Sequence, residues 1–204
     1  MRKGLFTKKE WALLSSLNQP HKIQDFLNTL PQSFSKHGEE CRSPRRVLQE
    51  KSAYCLEGAM LAALALSVHG HRPLLLDLTA HQKDDDHVVA LFQRRGCWGA
   101  ISKTNHAVLR YREPVYRSIR ELVMSYFHEY FLDDGKKTLR SYAVLDLSKF
   151  DKKGWMTSEE DIWYVPEALV DIPHKKILTK SQIAHLRKAD LIERRAGRLV
   201  DWKR

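Results

Sequence analysis

Cys55 and His87 are the two residues whose types and spacing could support covalent chemistry. Cys55 opens the run Cys55–Val68, which is rich in helix formers and apolar on nearly every side, so it predicts a buried central helix. Backbone N–H groups at a helix start stabilise a thiolate and a developing oxyanion, so we expect a lowered pKa for Cys55. We expect His87 to begin a strand beside that helix start, where it would act as general base and then acid.

A small set of helices and strands must position this pair. Strand-like runs cover residues 73–78, 87–92 and 97–102, and the connection over 93–96 is short enough only for an antiparallel hairpin. Ahead of them, the apolar spacing predicts two short helices over 8–29 with a break at Pro20, and another helical turn over 46–50. Ser52 is the predicted N-cap of the central helix.

The second half of the chain predicts more helix and one more strand. Glu113-Pro114 is typical of a helix start, and apolar residues trace one face as far as Tyr130. Residues 142–147 read as a strand, and residues 180–194 as a basic terminal helix. The order of helices, an antiparallel sheet and more helices predicts an α+β fold.

The segments around Cys55 and His87 resemble the transglutaminase-like branch of the papain-type cysteine enzymes. The resemblance rests on Tyr54-Cys55-Leu56-Glu57-Gly58-Ala59 at the start of a helix, on the strand after Gly70, and on His87 opening the next strand. Gly96, Trp98 and Ser102 occupy the frame of the family's G-x-W-x-x-x-D stretch. The match covers residues 50 to 105, about a quarter of the chain.

The resemblance implies a nucleophile helix packed on an antiparallel sheet, and chemistry on amide or related acyl bonds of a protein or peptide-like substrate. Cys55 would form a thioester, His87 would move the proton, and Ser102 would orient the imidazole. Protease, amidase and acyl-transferase activities all remain open, and no cofactor is implied. The domain division it suggests is a helical segment over 1–35, the transglutaminase-like domain over 36–170, and a basic helical tail over 171–204.

Two departures from the family pattern affect the mechanism. Ser102 stands where the family has Asp, and a hydroxyl fixes a tautomer without stabilising imidazolium by charge. Val89 stands where a tryptophan often follows the histidine. Asp77 is the first candidate to supply the missing charge and Asn105 the second, while Gln49 stands about where papain-like enzymes place an oxyanion-stabilising glutamine.

Each feature also has a structural interpretation. A lone cysteine on an apolar helix is more often a packing residue, and a member of the family without its Asp could be a catalytically degenerate binding module. His69-x-His71 and the group around 81–87 contain metal-ligand types, but an Asp run is usually a solvated turn, so we predict no metal site. The cysteines, an odd number without C-x-x-C spacing, predict neither a disulfide framework nor a zinc site: Cys41, Cys55 and Cys97.

The charge of the chain is concentrated at its ends. The net charge is +10, with 35 basic and 25 acidic side chains; residues 1–9 contribute +4 and residues 175–204 contribute +7. The rest is close to neutral, so the excess predicts an acidic partner, nucleic acid included, at the basic termini rather than at the site of chemistry. No apolar run is long enough for a membrane helix or a signal peptide, so we expect a cytoplasmic protein without membrane contact.

Overall fold

The computed structural model describes residues 3–33 and 40–201. The helices of these residues are α1 (Lys8–Ser16), α2 (Pro20–Thr29), α3 (Pro44–Glu50), α4 (Cys55–Val68), α5 (Ile119–Tyr126), α6 (Tyr164–Asp171), α7 (Lys180–Ala184) and α8 (Leu191–Gly197). The strands are β1 (Leu74–Thr79), β2 (His87–Arg94), β3 (Cys97–Ser102), β4 (Arg112–Tyr116), β5 (Ser141–Asp146) and β6 (Lys175–Lys176). Short 3₁₀ segments cover Lys3–Leu5, Phe127–Glu129 and Leu147–Lys153.

The six strands form one antiparallel sheet in the order β4-β3-β2-β1-β5-β6. The β2–β3 hairpin turns through Arg95 and Gly96, whose φ angles of 50° and 79° lie in the left-handed region that such two-residue turns require. Val89 pairs with Ser102 in this hairpin, and Leu78 pairs with His87 across β1 and β2. The register therefore brings the start of β2 and the end of β3 to the same end of the sheet.

Alternating side chains divide the sheet into two buried faces. One face packs under α4, together with α1, α2, α3 and α6, and takes Leu75, Ala90 and Ile101 into its core. The other face packs under α5 and takes Leu76 and Leu91 into a second core. Helix α4 lies on β2 and is apolar all round because it is covered on every side, with Leu56 to Leu66 buried throughout.

The α+β class and the central elements are confirmed. The central helix spans Cys55–Val68 as predicted, the two N-terminal helices break at Pro20, and α3 includes the predicted turn over 46–50. The predicted strands correspond to β1, β2, β3 and β5 within two residues at each end. The N-terminal helices share a buried core with α4, through Leu14, Ile23 and Leu27.

Three local predictions are wrong. The residue that caps α4 is Tyr54, since the Ser52 side chain instead accepts from Arg42. Glu113-Pro114 lies in strand β4, and the helix starts at Ile119 after the N-cap Ser118. The predicted basic helix over 180–194 is two short helices, because Thr179 caps α7 and Asp190 caps α8.

Some predicted features fall on residues outside those described. They include the boundary at 35/36 and the terminal cations Arg2, Lys203 and Arg204. Within the described ranges, no helix has both the length and the apolar character needed to cross a membrane.

Candidate active site

Cys55 and His87 line one cleft of about 530 Å³ at the N-terminal end of α4, which we call the Cys55 cleft. The end of β3 contributes Lys103, and the following loop contributes Asn105 and Leu109. The predicted nucleophile and the predicted base therefore border the same cleft.

A buried ion pair holds the start of α4 in place. Glu57 and Arg42 are both almost fully buried, and Glu57 accepts from Arg42 Nε and Nη2 at 2.7 Å each. Glu57 also accepts from the backbone N–H groups of Arg42 and Tyr54, at 3.0 and 3.2 Å. Arg42 in turn binds Glu50 and the carbonyl of Ser52. Because these bonds tie α3 and the preceding segment to the first turn of α4, they fix the position of Cys55.

Burial raises the pKa of the Cys55 thiol, which corrects the expected lowering by the helix start. Loss of solvation is the largest effect, and the negative charge of Asp77 acts in the same direction. Hydrogen bonding from the backbone of Val88 and Leu56 opposes it in part. The backbone N–H groups at the helix start are present, but the cost of desolvating a thiolate at this position exceeds the stabilisation that they give it. The resting group is therefore the neutral thiol.

The loop before β2 is fixed by hydrogen bonds that place His87 at the cleft. Asp86 Oδ1 accepts from the backbone N–H of Ala80 at 2.7 Å, and Tyr130 donates its hydroxyl to the carbonyl of Asp85 at 2.7 Å. Thr138 donates its hydroxyl to Asp84. The hydrogen bonds of these three aspartates stabilise the turn before β2, in agreement with the interpretation of the Asp run as a turn.

Ser102 is the hydrogen-bond partner of the His87 ring. The Ser102 hydroxyl donates to the carbonyl of Leu109 at 2.6 Å, so its oxygen is left to accept from His87 Nε2–H at 2.8 Å. This arrangement assigns the proton of the neutral ring to Nε2 and leaves Nδ1 as the basic nitrogen. No hydrogen bond joins the Cys55 thiol to the ring among the described residues, and such bonds are often long without substrate.

The carbonyl that receives the Ser102 hydroxyl belongs to a residue in an unusual conformation. Leu109 has φ of 58°, in the left-handed region that bulky side chains rarely adopt. Its backbone N–H donates to Glu129 Oε2 at 2.7 Å, and that carboxylate also pairs with Arg112 at 2.7 Å. The ion pair thereby holds the Leu109 carbonyl towards Ser102, and strain of this kind is typical of functional sites.

The N-terminal helices and the first turn of α4 hold Ser102 from the other side. The side-chain amide of Gln24 on α2 donates to the carbonyl of Ser102 at 2.8 Å and accepts from its backbone N–H at 2.9 Å. Gly58 lets β3 approach α4 closely, because a Cβ there would lie 2.3 Å from the Cβ of Lys103. Both contacts bring the end of β3 against the helix that carries Cys55.

The other sequence-predicted site residues have different positions. Asp77 accepts a hydrogen bond from Thr79 and lies 2.9 Å from His174 Nε2. It therefore does not orient the His87 ring, whose side-chain hydrogen-bond partner is Ser102. Asn105 lines the cleft, whereas Gln49 is exposed on α3 and does not line it. The glutamine in the cleft wall is Gln32.

Gln32 is a residue that sequence reasoning missed. Its backbone forms a parallel bridge with Ala53, two residues before Cys55, and its side chain lines the Cys55 cleft. Its Oε1 atom is buried and has no hydrogen-bond partner among the described residues. A buried oxygen without a donor carries a desolvation cost, which a ligand N–H would relieve. No motif marks Gln32, because its position depends on pairing between distant segments.

Burial lowers the pKa of His87 to about 4, with the charge of His106 acting in the same direction. Hydrogen bonding to the backbone of Leu109 opposes the shift in part. The ring is therefore neutral at physiological pH, and with the neutral thiol it forms a pair in which a proton must move before or during attack.

The C-terminal segment borders the same cleft. Residues 199–201 pair with the loop after β3, through Ala107 N–H to the Leu199 carbonyl at 2.9 Å and Asp201 N–H to the Asn105 carbonyl at 2.8 Å. Arg198 on this segment donates to Asp133 at 2.9 Å. Part of the basic tail is therefore docked at the rim of the cleft.

Neither a search for metal-ligand clusters nor comparison with known proteins assigns a function to this site. Within residues 3–33 and 40–201, no group of three or more His, Cys, Asp or Glu side chains is arranged to hold a metal ion. No family model matches this sequence, and none of the curated proteins compared with it matches either.

Proposed function

We propose that this protein is a transglutaminase-like cysteine enzyme acting on amide or related acyl bonds through Cys55 and His87. The observation that carries the proposal is the hydrogen bond from His87 Nε2 to Ser102 Oγ in the cleft that Cys55 also lines. This bond assigns the proton of the neutral imidazole to Nε2, and Nδ1 would then accept the thiol proton, which is the role of the oriented base in cysteine catalysis.

The reaction follows from this protonation pattern. His87 Nδ1 takes the proton from the Cys55 thiol as the sulfur attacks the carbonyl carbon of the substrate. The carbon–nitrogen bond then breaks, the leaving amine receives that proton, and the acyl group stays on sulfur as a thioester. Water gives hydrolysis and an amine gives transfer, so the acceptor decides between protease or amidase activity and acyl transfer.

Gln32 supports an amide-bearing substrate. Gln32 lines the Cys55 cleft and its buried Oε1 has no partner among the described residues, so a reorientation of the side chain would let it accept an N–H group from the bound chain. A protein or peptide-like substrate supplies such a donor next to each carbonyl, whereas a simple ester does not.

A catalytically degenerate binding module is the second candidate function. Ser102 favours it, because an uncharged hydroxyl gives no charge stabilisation to the imidazolium that forms during the reaction. The buried position of His87 has the same effect, since it disfavours the charged ring.

Alkylation by low-dose iodoacetamide at neutral pH, read by mass spectrometry of each cysteine peptide, separates the two candidates. Cys97 is also half-buried and serves as the internal reference. If His87 takes the thiol proton as the sulfur attacks, Cys55 should react faster than Cys97 despite its raised pKa, and His87→Ala should lower its rate by about 10²-fold, the lower end of general-base assistance. The exposed His21 provides a matched control, because His21→Ala should change neither rate. If Cys55 reacts no faster than Cys41 and Cys97, the catalytic role is wrong.

A further inference from the structure

A groove lies outside the Cys55 cleft, between α5, the β5–β6 edge of the sheet and α7. Its volume is about 680 Å³. Four cationic side chains line it: Arg120, Arg140, Lys176 and Lys180. Among the residues that the structure describes, no Asp or Glu lines the groove and no ion pair involves these four. We call it the basic groove.

The two arginines are held in place by backbone carbonyls. Arg120 Nη2 donates to the carbonyl of Ile177 at 3.1 Å. Arg140 donates to the carbonyls of Leu139 and Lys137, each at 2.9 Å. Neutral acceptors fix the guanidinium groups without cancelling their charge, so both present a positioned positive charge.

Three of the five described cations further along the chain are paired with carboxylates. Arg187, Lys188 and Arg198 each pair with a carboxylate within 3.5 Å, with partners Asp190, Asp134 and Asp133. These pairs reduce the local field of α8 and the segment before it. The acidic-partner site expected at the basic termini is therefore better placed at the groove, where two of the cations come from outside the basic tail.

We propose that the basic groove binds an acidic peptide segment of a partner protein. Charge complementarity gives the sign of the ligand, since four unpaired cations face one concave surface. The half-buried aliphatic side chains Leu178 and Ile183 line the groove as well and would contact apolar residues of the segment. The partner sequence is therefore acidic with interspersed aliphatic residues.

A protein segment fits this surface better than nucleic acid does. No aromatic ring lines the groove in the described part of the chain, so stacking of bases has no platform there. The groove also runs along β6, the last strand of the sheet on that side, and an edge strand can pair with an extended chain. Aliphatic contacts and a strand edge both serve a peptide, whereas a phosphate backbone uses neither.

Fluorescence anisotropy with a fluorescein-labelled peptide of glutamates with two interspersed leucines tests the proposal on the full chain. The variant Lys176→Gln/Lys180→Gln removes two groove charges and should weaken binding roughly tenfold. The matched control Arg187→Gln/Lys188→Gln removes two paired charges and should weaken it less than about twofold. Ile183→Ala, which shortens an aliphatic side chain of the groove, should also weaken binding of this peptide. A peptide with lysine in place of glutamate should not bind.

Three results would overturn the proposal. One is no binding, or binding that the groove variant does not weaken. Another is an equal loss in the control, which would mean attraction by net charge alone. The third is tighter binding of an oligothymidylate through the same groove residues, which would make the surface a nucleic-acid site. Thermal melts of all variants ensure that each comparison is made on folded protein.

Discussion

Protonation of His87 at low pH should destabilise the folded protein by a measurable amount. The ring is buried, and its pKa falls from an ordinary value of about 6.5 to about 4. Between these values the unfolded chain binds a proton that the folded protein does not, so stability falls as pH decreases from 6.5 to 4. At about 1.4 kcal/mol per pH unit, the loss is about 3 kcal/mol.

Urea denaturation at several pH values between 4 and 7 measures this loss. Carboxylates also titrate in part of this range, so the informative quantity is the difference between the protein and His87→Gln. Glutamine retains a donor for Ser102, and any cost of the replacement that does not depend on pH cancels in the difference. We expect the variant to lose about 3 kcal/mol less than the protein over this interval.

The exposed His21 is the matched control, since His21→Gln should leave the pH dependence of the unfolding free energy unchanged. The reasoning is refuted if His87→Gln loses as much stability as the protein does. That result would mean that the folded and unfolded states bind the His87 proton equally, and the cleft would then accommodate imidazolium at rest.

Two further predictions concern the residues that position Cys55 and Ser102. Glu57→Gln leaves the Arg42 guanidinium buried without its fully buried carboxylate partner, so the free energy of unfolding should fall by about 3 kcal/mol in denaturant titration. An unchanged denaturation midpoint would contradict the role of this pair. Gly58→Ala places a methyl group 2.3 Å from Lys103 Cβ, so it should cost about 1–3 kcal/mol despite the better helix propensity of alanine. Ala59→Gly in the same helix turn is the control for helix propensity. A Gly58→Ala variant more stable than the protein would show that β3 moves away from the added methyl group without cost.

The sequence predicted the elements around Cys55 and His87 because their signals are local. The apolar run of α4 has one periodicity, and β2 and β3 are joined by a two-residue turn that needs Gly96. The hairpin register then places Ser102 near His87 without any further information.

Features that depend on tertiary pairing could not be predicted. Gln24 and Gln32 reach the site through contacts with segments distant in the sequence, and no motif precedes them. The left-handed conformation of Leu109 depends on Glu129, which belongs to a separate 3₁₀ segment. The sign of the Cys55 pKa shift also needed the structure, because desolvation depends on how deeply the helix start is buried.

Strand β4 shows how a local signal can be overridden. Glu113-Pro114 is typical of a helix start, but proline is also tolerated in an edge strand, where its missing N–H faces no partner. β4 is the terminal strand of the sheet beside β3. Ser118 then caps the helix, with its side chain accepting from Glu121 N–H at 3.1 Å.

Direct trapping of an acyl group on Cys55 is the most decisive measurement for the proposed enzyme. The protein is mixed with p-nitrophenyl acetate, the release of p-nitrophenol is followed, and the acetylated peptide is identified by mass spectrometry. We predict a burst of one p-nitrophenol per protein, with acetate on Cys55, that is absent in Cys55→Ala and strongly slowed in His87→Ala. No burst, or an equal burst in Cys55→Ala, would contradict a Cys55 nucleophile.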